Sequence, residues 1–240
     1  MVERQKLIAD AIVLQHGDAL ERNRTGLNIT DRGALRYMSR LAGIRFTIEY
    51  ARTLGEPGVL LDIGMGAGNA LAHFTDCRWL DGIPLAGTIL PREQYRCRPK
   101  NVRIYQTGVE WLDEVESDST LVVISVDGGL MYTGFPNLAA DSLARVVVDR
   151  GVVKANFALA TGNGPCSPKG WEEHKRELAR VGFATAHKTL LVDSSLKMVM
   201  VCIKGGDKDT AERLLNDDFD TVESQKETFP RFWWAGRKWG

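Results

Sequence analysis

The stretch that most constrains this chain is Val59-Leu60-Leu61-Asp62-Ile63-Gly64-Met65-Gly66-Ala67-Gly68-Asn69-Ala70-Leu71. A short apolar run ends in an acid, three alternating glycines follow, and an apolar helix begins. That order reads as a buried strand, a tight turn and a helix N-terminus. Glycines are needed where the backbone takes a positive φ or lets a ligand come close. The first-turn amides of the helix are unpaired donors facing whatever sits above the turn.

Downstream, short strand-like runs alternate with helical stretches. Strands are expected at 84–90, 102–105, 121–126 and 152–157, then at 185–192 and 196–203. Helices are expected at about 136–149 and 169–181 between them. The continuous apolar run 121–126 is of the kind buried on both faces of a parallel sheet. The length of 240 residues suits one large α/β domain with small extensions. The expected division is a helical, arginine-rich extension at 1–54, a core at 55–205, and an aromatic and basic tail at 206–240. Within the first extension, 5–22 and about 31–54 read as helices. Leu35, Met38, Leu41, Ile44 and Ile48 recur at helical spacing along the second.

Composition removes several classes of function. The chain is 44% hydrophobic and 26% charged, ordinary values for a soluble globular protein. No apolar run approaches the ~20 residues of a membrane span, and no signal-peptide core opens the chain, so a cytoplasmic site is the default. The four cysteines, Cys77, Cys97, Cys166 and Cys202, form no C-x-x-C, which points away from a metal site or disulfide framework. Lys+Arg and Asp+Glu both number 31, so any attraction for nucleic acid must come from a local patch. Arg36, Arg40 and Arg45 on the N-terminal helix form one candidate patch. Arg96, beside Tyr95, belongs to a second. Arginine suits bidentate phosphate contact, and the competing reading of each patch is a solvated basic face. The Trp-rich tail at 229–239 reads either as a base-stacking surface or as packing against the domain.

Around the glycine turn the pattern is apolar-apolar-Asp-x-Gly-x-Gly-x-Gly. A dinucleotide fingerprint would want a small residue where Asn69 stands. The pattern instead resembles motif I of class I S-adenosylmethionine-dependent methyltransferases. That resemblance implies a Rossmann-like sheet, mostly parallel with an antiparallel last strand and helices on both faces. It also implies S-adenosylmethionine as cofactor, held by Asp62, Gly64, Gly66 and Gly68. Val109 or Glu110 would stand near the adenine, and Asp127 would also approach the cofactor. The acid such enzymes often carry at the end of the second strand is missing, Glu93 lying three residues beyond it.

Two strand residues narrow the resemblance. Asp127 closes the run 121–126, and Lys154 lies inside the apolar strand Val152-Val153-Lys154. A lysine there is costly to bury unless paired, with Asp127 as its natural partner; otherwise it snorkels to the sheet edge. The segment from Arg150 to Phe157, with Asp127 and Tyr37-Met38-Ser39-Arg40, resembles the FtsJ-type ribose 2′-O-methyltransferases of ribosomal RNA and viral mRNA caps. Their signature is a Lys-Asp-Lys-Glu tetrad on the carboxyl edge of the sheet. Here Arg45 stands near the first lysine position, and Lys197 occupies the glutamate position. The resemblance implies an RNA 2′-O-methyltransferase, a viral cap enzyme in the host cytoplasm being one form, with Lys154 as base, Asp127 as its orienter and Arg45 as the remaining cation. The incomplete tetrad motivates two rivals: a SAM- or RNA-binding protein of the same fold with impaired catalysis, and a methyltransferase for small molecules or proteins.

Overall fold

The structure, a computed structural model, describes residues 43–66, 68, 71, 82–89, 101–126, 128–158, 168–192 and 195–228. Its centre is a seven-stranded sheet: β1 Val59–Asp62, β2 Leu85–Ile89, β3 Val102–Gln106, β4 Thr120–Ser125, β5 Val147–Ala158, β6 Phe183–Val192 and β7 Ser195–Lys204. The spatial order is β3-β2-β1-β4-β5-β7-β6. β1 pairs in parallel with β2 and β4, β3 with β2, and β5 with β4. β7 runs antiparallel between β5 and β6. The expected Rossmann-like sheet is therefore present, its antiparallel strand supplied by the last hairpin. All six residues of β4 are buried, as a continuous apolar run between two layers requires.

Helices cover both faces. On one side, Leu61, Val123, Val153, Ala155, Phe157, Met198, Met200 and Cys202 share a core with α3 (Pro136–Val146) and α4 (Pro168–Arg180). On the other, Leu60, Val122 and Ile124 pack with Ile44, Ile48 and Ala51 of the α1 segment (Arg45–Thr53). Val152, Val199, Val201 and Ile203 meet Ala211, Leu214 and Leu215 of α5 (Lys208–Thr228). Each fully buried aliphatic side chain stabilises the fold by about 1.5–3 kcal/mol. α1 and α5 thus form part of a layer on the sheet, although the sequence reading assigns them to the extensions. The remaining 1–42 and 229–240, with the arginine and tryptophan clusters placed there, lie outside the described residues.

Two boundaries differ from expectation. α3 ends at Val146, three residues early, and β5 begins at Val147. The β-branched run Val146-Val147-Val148 favours extended backbone, and Val147 pairs with Thr120 across a register shift. Arg150, at φ 63, lies within the irregular start of β5. Near this end of the sheet, Arg145 donates to the carbonyls of Leu112 (2.6 Å) and Val115 (2.8 Å). Those bonds fix the loop that leads from β3 to β4. No described helix is long and apolar enough to cross a membrane.

Candidate active site

In an open α/β sheet, ligands bind beyond the carboxyl ends of the strands, where the strand order reverses. Here that point lies between β1 and β4, and the glycine turn leaves β1 at this position. Gly64, Gly66 and Gly68 have φ of 73°, 55° and 81°, which L residues adopt at a cost. Their surroundings differ. A Cβ built on Gly64 would stand 2.5 Å from the Gly129 nitrogen, so backbone packs on backbone there. Among the described residues, a Cβ on Gly66 meets no atom within 4 Å, leaving that side of the turn open.

The turn is bolted to both neighbouring strands. Gly64 N donates to Thr88 Oγ1 at 3.0 Å, and Met65 N to the Thr88 carbonyl at 3.0 Å. Gly129 N donates to the Ile63 carbonyl at 3.3 Å, and Leu130 N to Ser125 Oγ at 3.2 Å. Gly128 and Gly129 therefore seat the chain after β4 directly on the turn, leading into the short helix α2 (Gly129–Tyr132). Asp127, one residue earlier, lies outside the described residues. Gly87 on β2 is needed because a Cβ would run into Met65 Sδ and Leu71.

Glu110 sits in the loop after β3 and is only 2% exposed. Thr133 Oγ1, just beyond α2, donates to its Oε1. Its Oε2 is buried with no hydrogen-bond partner among the described residues. Burial pushes this carboxyl above the ordinary carboxylate range, the Thr133 bond opposing the shift. The loop backbone is pinned as well, with Ser142 Oγ donating to the Glu110 carbonyl at 2.8 Å. α2 itself hangs from α4, where His174 places Nε2 against the Leu130 carbonyl and Nδ1 against that of Gly170.

Lys154 and Asp62 occupy the same row of the sheet, since both pair with Ile124. Strand alternation points both toward the α1 and α5 layer. Lys154 is fully buried, and its Nζ bonds Asp218 Oδ2 of α5 at 2.6 Å. Asp218, also fully buried, accepts three further donor groups. Phe46 N reaches Oδ1 at 2.6 Å, Thr47 Oγ1 reaches Oδ2 at 2.6 Å, and Thr47 N lies 3.3 Å from Oδ2 and 3.4 Å from Oδ1. The N-cap of α1, Ile44, has no capping side chain. Asp218 performs that task from a distant part of the chain, matching a carboxylate to the positive end of the helix. Desolvation lowers the proton affinity of Lys154, and Asp218 opposes it.

Arg45 is elsewhere. Its side chain is 61% exposed and bonds Glu49 one turn along α1 at 2.9 Å. The structure does not bring it to Lys154. Lys197 is buried on β7, on the same sheet face as Lys154 by strand alternation. Arg36, Arg40 and Arg96 lie outside the described residues. Among the described residues, no group of three His, Cys, Asp or Glu could hold a metal ion. Burial pushes the Cys202 thiol up to about 12 and makes it inert.

Sequence reasoning missed Asp218 and Thr47. A signal existed: Ala211, Leu214, Leu215 and Asp218 fall on one helical stripe, which puts an acid where an apolar residue is expected. Such a buried acid requires a cation, and Lys154 was the cation in want of a partner.

Neither a family model nor a curated protein matches the sequence. Solved structures do match in fold. A Burkholderia thailandensis 1,6-didemethyltoxoflavin-N1-methyltransferase, solved with bound 1,6-didemethyltoxoflavin and S-adenosylhomocysteine, is 15% identical with a TM-score of 0.54. The match covers 82% of this chain and 89% of that one. A structure of the Haloferax volcanii Trm112 methyltransferase activator in complex with a methyltransferase matches at 13% identity and TM-score 0.51, covering 80% and 96%. With the strand order above, these matches define the fold as that of the class I methyltransferases.

Proposed function

We propose that this protein is an S-adenosylmethionine-dependent methyltransferase whose acceptor is a ribose 2′-hydroxyl of RNA. The observation that carries the cofactor assignment is the glycine turn at the strand-order reversal, closed by backbone at Gly64 and open at Gly66. Glu110 fits the same group: its Oε2, without a partner among the described residues, is open to a hydrogen bond with a polar ligand atom. When bound, S-adenosylmethionine supplies an electrophilic methyl group on a sulfonium. The chain contributes alignment of the acceptor hydroxyl, a contribution that accounts for much of the barrier in well-oriented transfers, and a place for the hydroxyl proton.

Lys154 Nζ is the candidate for that place. It must be neutral to accept the proton, and burial favours the neutral amine. The proton leaves the 2′-oxygen for Nζ and passes later to solvent. Arg45, Arg36, Arg40 and Arg96 are the proposed phosphate contacts, and Asp127 remains the proposed second carboxylate at the site. The test is transfer of a labelled methyl group to capped and uncapped RNA, with Lys154→Met as control. Label on the ribose oxygen that disappears in the variant supports the reading. Label on a base, or transfer surviving in the variant, rejects it.

A second reading is favoured by one observation: Lys154 has no exposed surface and is already engaged at 2.6 Å. Under it the protein binds cofactor or RNA without turnover. It requires cofactor binding with no methyl transfer to any RNA.

A further inference from the structure

Asp218 is joined to two things at once: the Lys154 ammonium and the first turn of α1. Its four donor groups are the Lys154 ammonium, the amides of Phe46 and Thr47, and the Thr47 hydroxyl. Lys154 is fixed by β5, whose neighbours β4 and β7 are hydrogen-bonded on both sides. A long lysine side chain carries considerable rotamer freedom, and the carboxylate removes it. The donors from α1 matter in a second way, because they draw on the same negative charge that holds the lysine proton.

We propose that Asp218 is the positioning residue for Lys154, bridging its amine to the N-terminus of α1 and setting how readily it gives up its proton. This rests on the reading of Lys154 as the acceptor of the ribose proton. A carboxylate with no other donors would keep the lysine cationic and useless as a base. One shared with a helix N-terminus and a hydroxyl holds the proton less firmly. The tetrad position where a glutamate is expected carries Lys197, and Asp218 supplies a carboxylate from a different element. It enters from α5, in the segment whose sequence reads as a tail. Among the described residues, strand alternation puts Asp62 of β1, Lys188 of β6 and Lys197 of β7 on this face of the sheet. Tyr50 enters from α1, with Asp149 and Arg150 of β5, Asp207, and Arg213 of α5 around it. Arg45 and Glu49 are spent on each other at the surface.

Two substitutions pull the lysine in opposite directions. Asp218→Asn removes the charge and keeps the shape, so the Lys154 pKa should fall by about 1–3 units. Thr47→Val removes one competing donor while both α1 amides remain capped, so the Lys154 pKa should rise. The measurement is nitrogen-detected NMR titration of the lysine amines in the full chain, with Lys154→Met identifying the signal. It is paired with the pH profile of methyl transfer to capped RNA. Opposite shifts of the Lys154 signal, followed by the rise of rate with pH, support the proposal. A role confined to helix capping would lower the melting temperature of both variants and leave the signal and the profile in place, which would overturn it. Should Asp218→Asn not fold, the upward shift in Thr47→Val decides alone, and its absence rejects the proposal. Opposite shifts in a protein that methylates no RNA would retain the Asp218–Lys154 coupling and reject the 2′-O reading instead.

Discussion

Of the three buried carboxylates among the described residues, Asp62, Glu110 and Asp218, the last two are handled in opposite ways. Asp218 accepts from an ammonium, two backbone amides and a hydroxyl. Glu110 accepts one hydroxyl bond and has an oxygen with no partner. Burial is nearly complete in both cases. What separates them is the supply of donors. Burial raises the proton affinity of Glu110, with the Thr133 hydroxyl opposing the shift. Asp218 ties together α1, β5 and α5. Glu110 lies in the loop after β3 and keeps one carboxyl oxygen without a hydrogen-bond partner among the described residues.

Removing the cation tests the first half of this contrast most severely. Lys154→Met leaves Asp218 as a buried charge without its counterion, an expected loss of about 3–5 kcal/mol in urea unfolding. Adding Asp218→Leu should recover most of it, less about 1 kcal/mol for the lost cap on α1. A single variant as stable as the wild type would show that the pair contributes nothing. On the other side, Thr133→Val strips Glu110 of its one side-chain bond, with an expected cost of about 1–3 kcal/mol by the same assay.

The pH dependence sharpens the comparison further. The Glu110 pKa is raised in the fold, so its contribution to stability is fully present below the unfolded carboxylate pKa and is lost as pH rises through the folded value. Glu110→Gln should flatten that decline relative to the wild type, read from melting temperatures between acid and neutral pH. An unchanged slope would contradict the raised pKa of Glu110. The smallest effect belongs to Arg45→Ala. Its exposed pair with Glu49 should be worth no more than a few tenths of a kcal/mol, whereas RNA affinity at low salt should fall if Arg45 contacts phosphate.

Much of this could be read in the chain itself. The run 59–71 announced the strand and the turn, because glycine adopts most readily the φ values found at 64, 66 and 68. The unbroken apolar run at β4 announced a strand covered on both faces. Lys154 was visible as an anomaly in an apolar strand. Its partner was not, since Asp218 lies 64 residues further on, in a polar stretch whose apolar stripe is short. Nor could spacing show that Arg45 turns outward, because a first-turn position on a helix is compatible with either face. Gly64 and Gly66 look equivalent in sequence, and only packing separates the one that abuts Gly129 from the one that opens outward.

That difference gives the most direct test of the cofactor site. Calorimetric titration with S-adenosylmethionine and S-adenosylhomocysteine should show micromolar binding to the wild-type chain. Gly66→Ala should fold, at a cost of about 1–2 kcal/mol for its left-handed backbone, and bind neither. A wild-type chain that takes up neither compound, or a Gly66→Ala variant that binds both as well as the wild type, would contradict the assignment of the glycine turn.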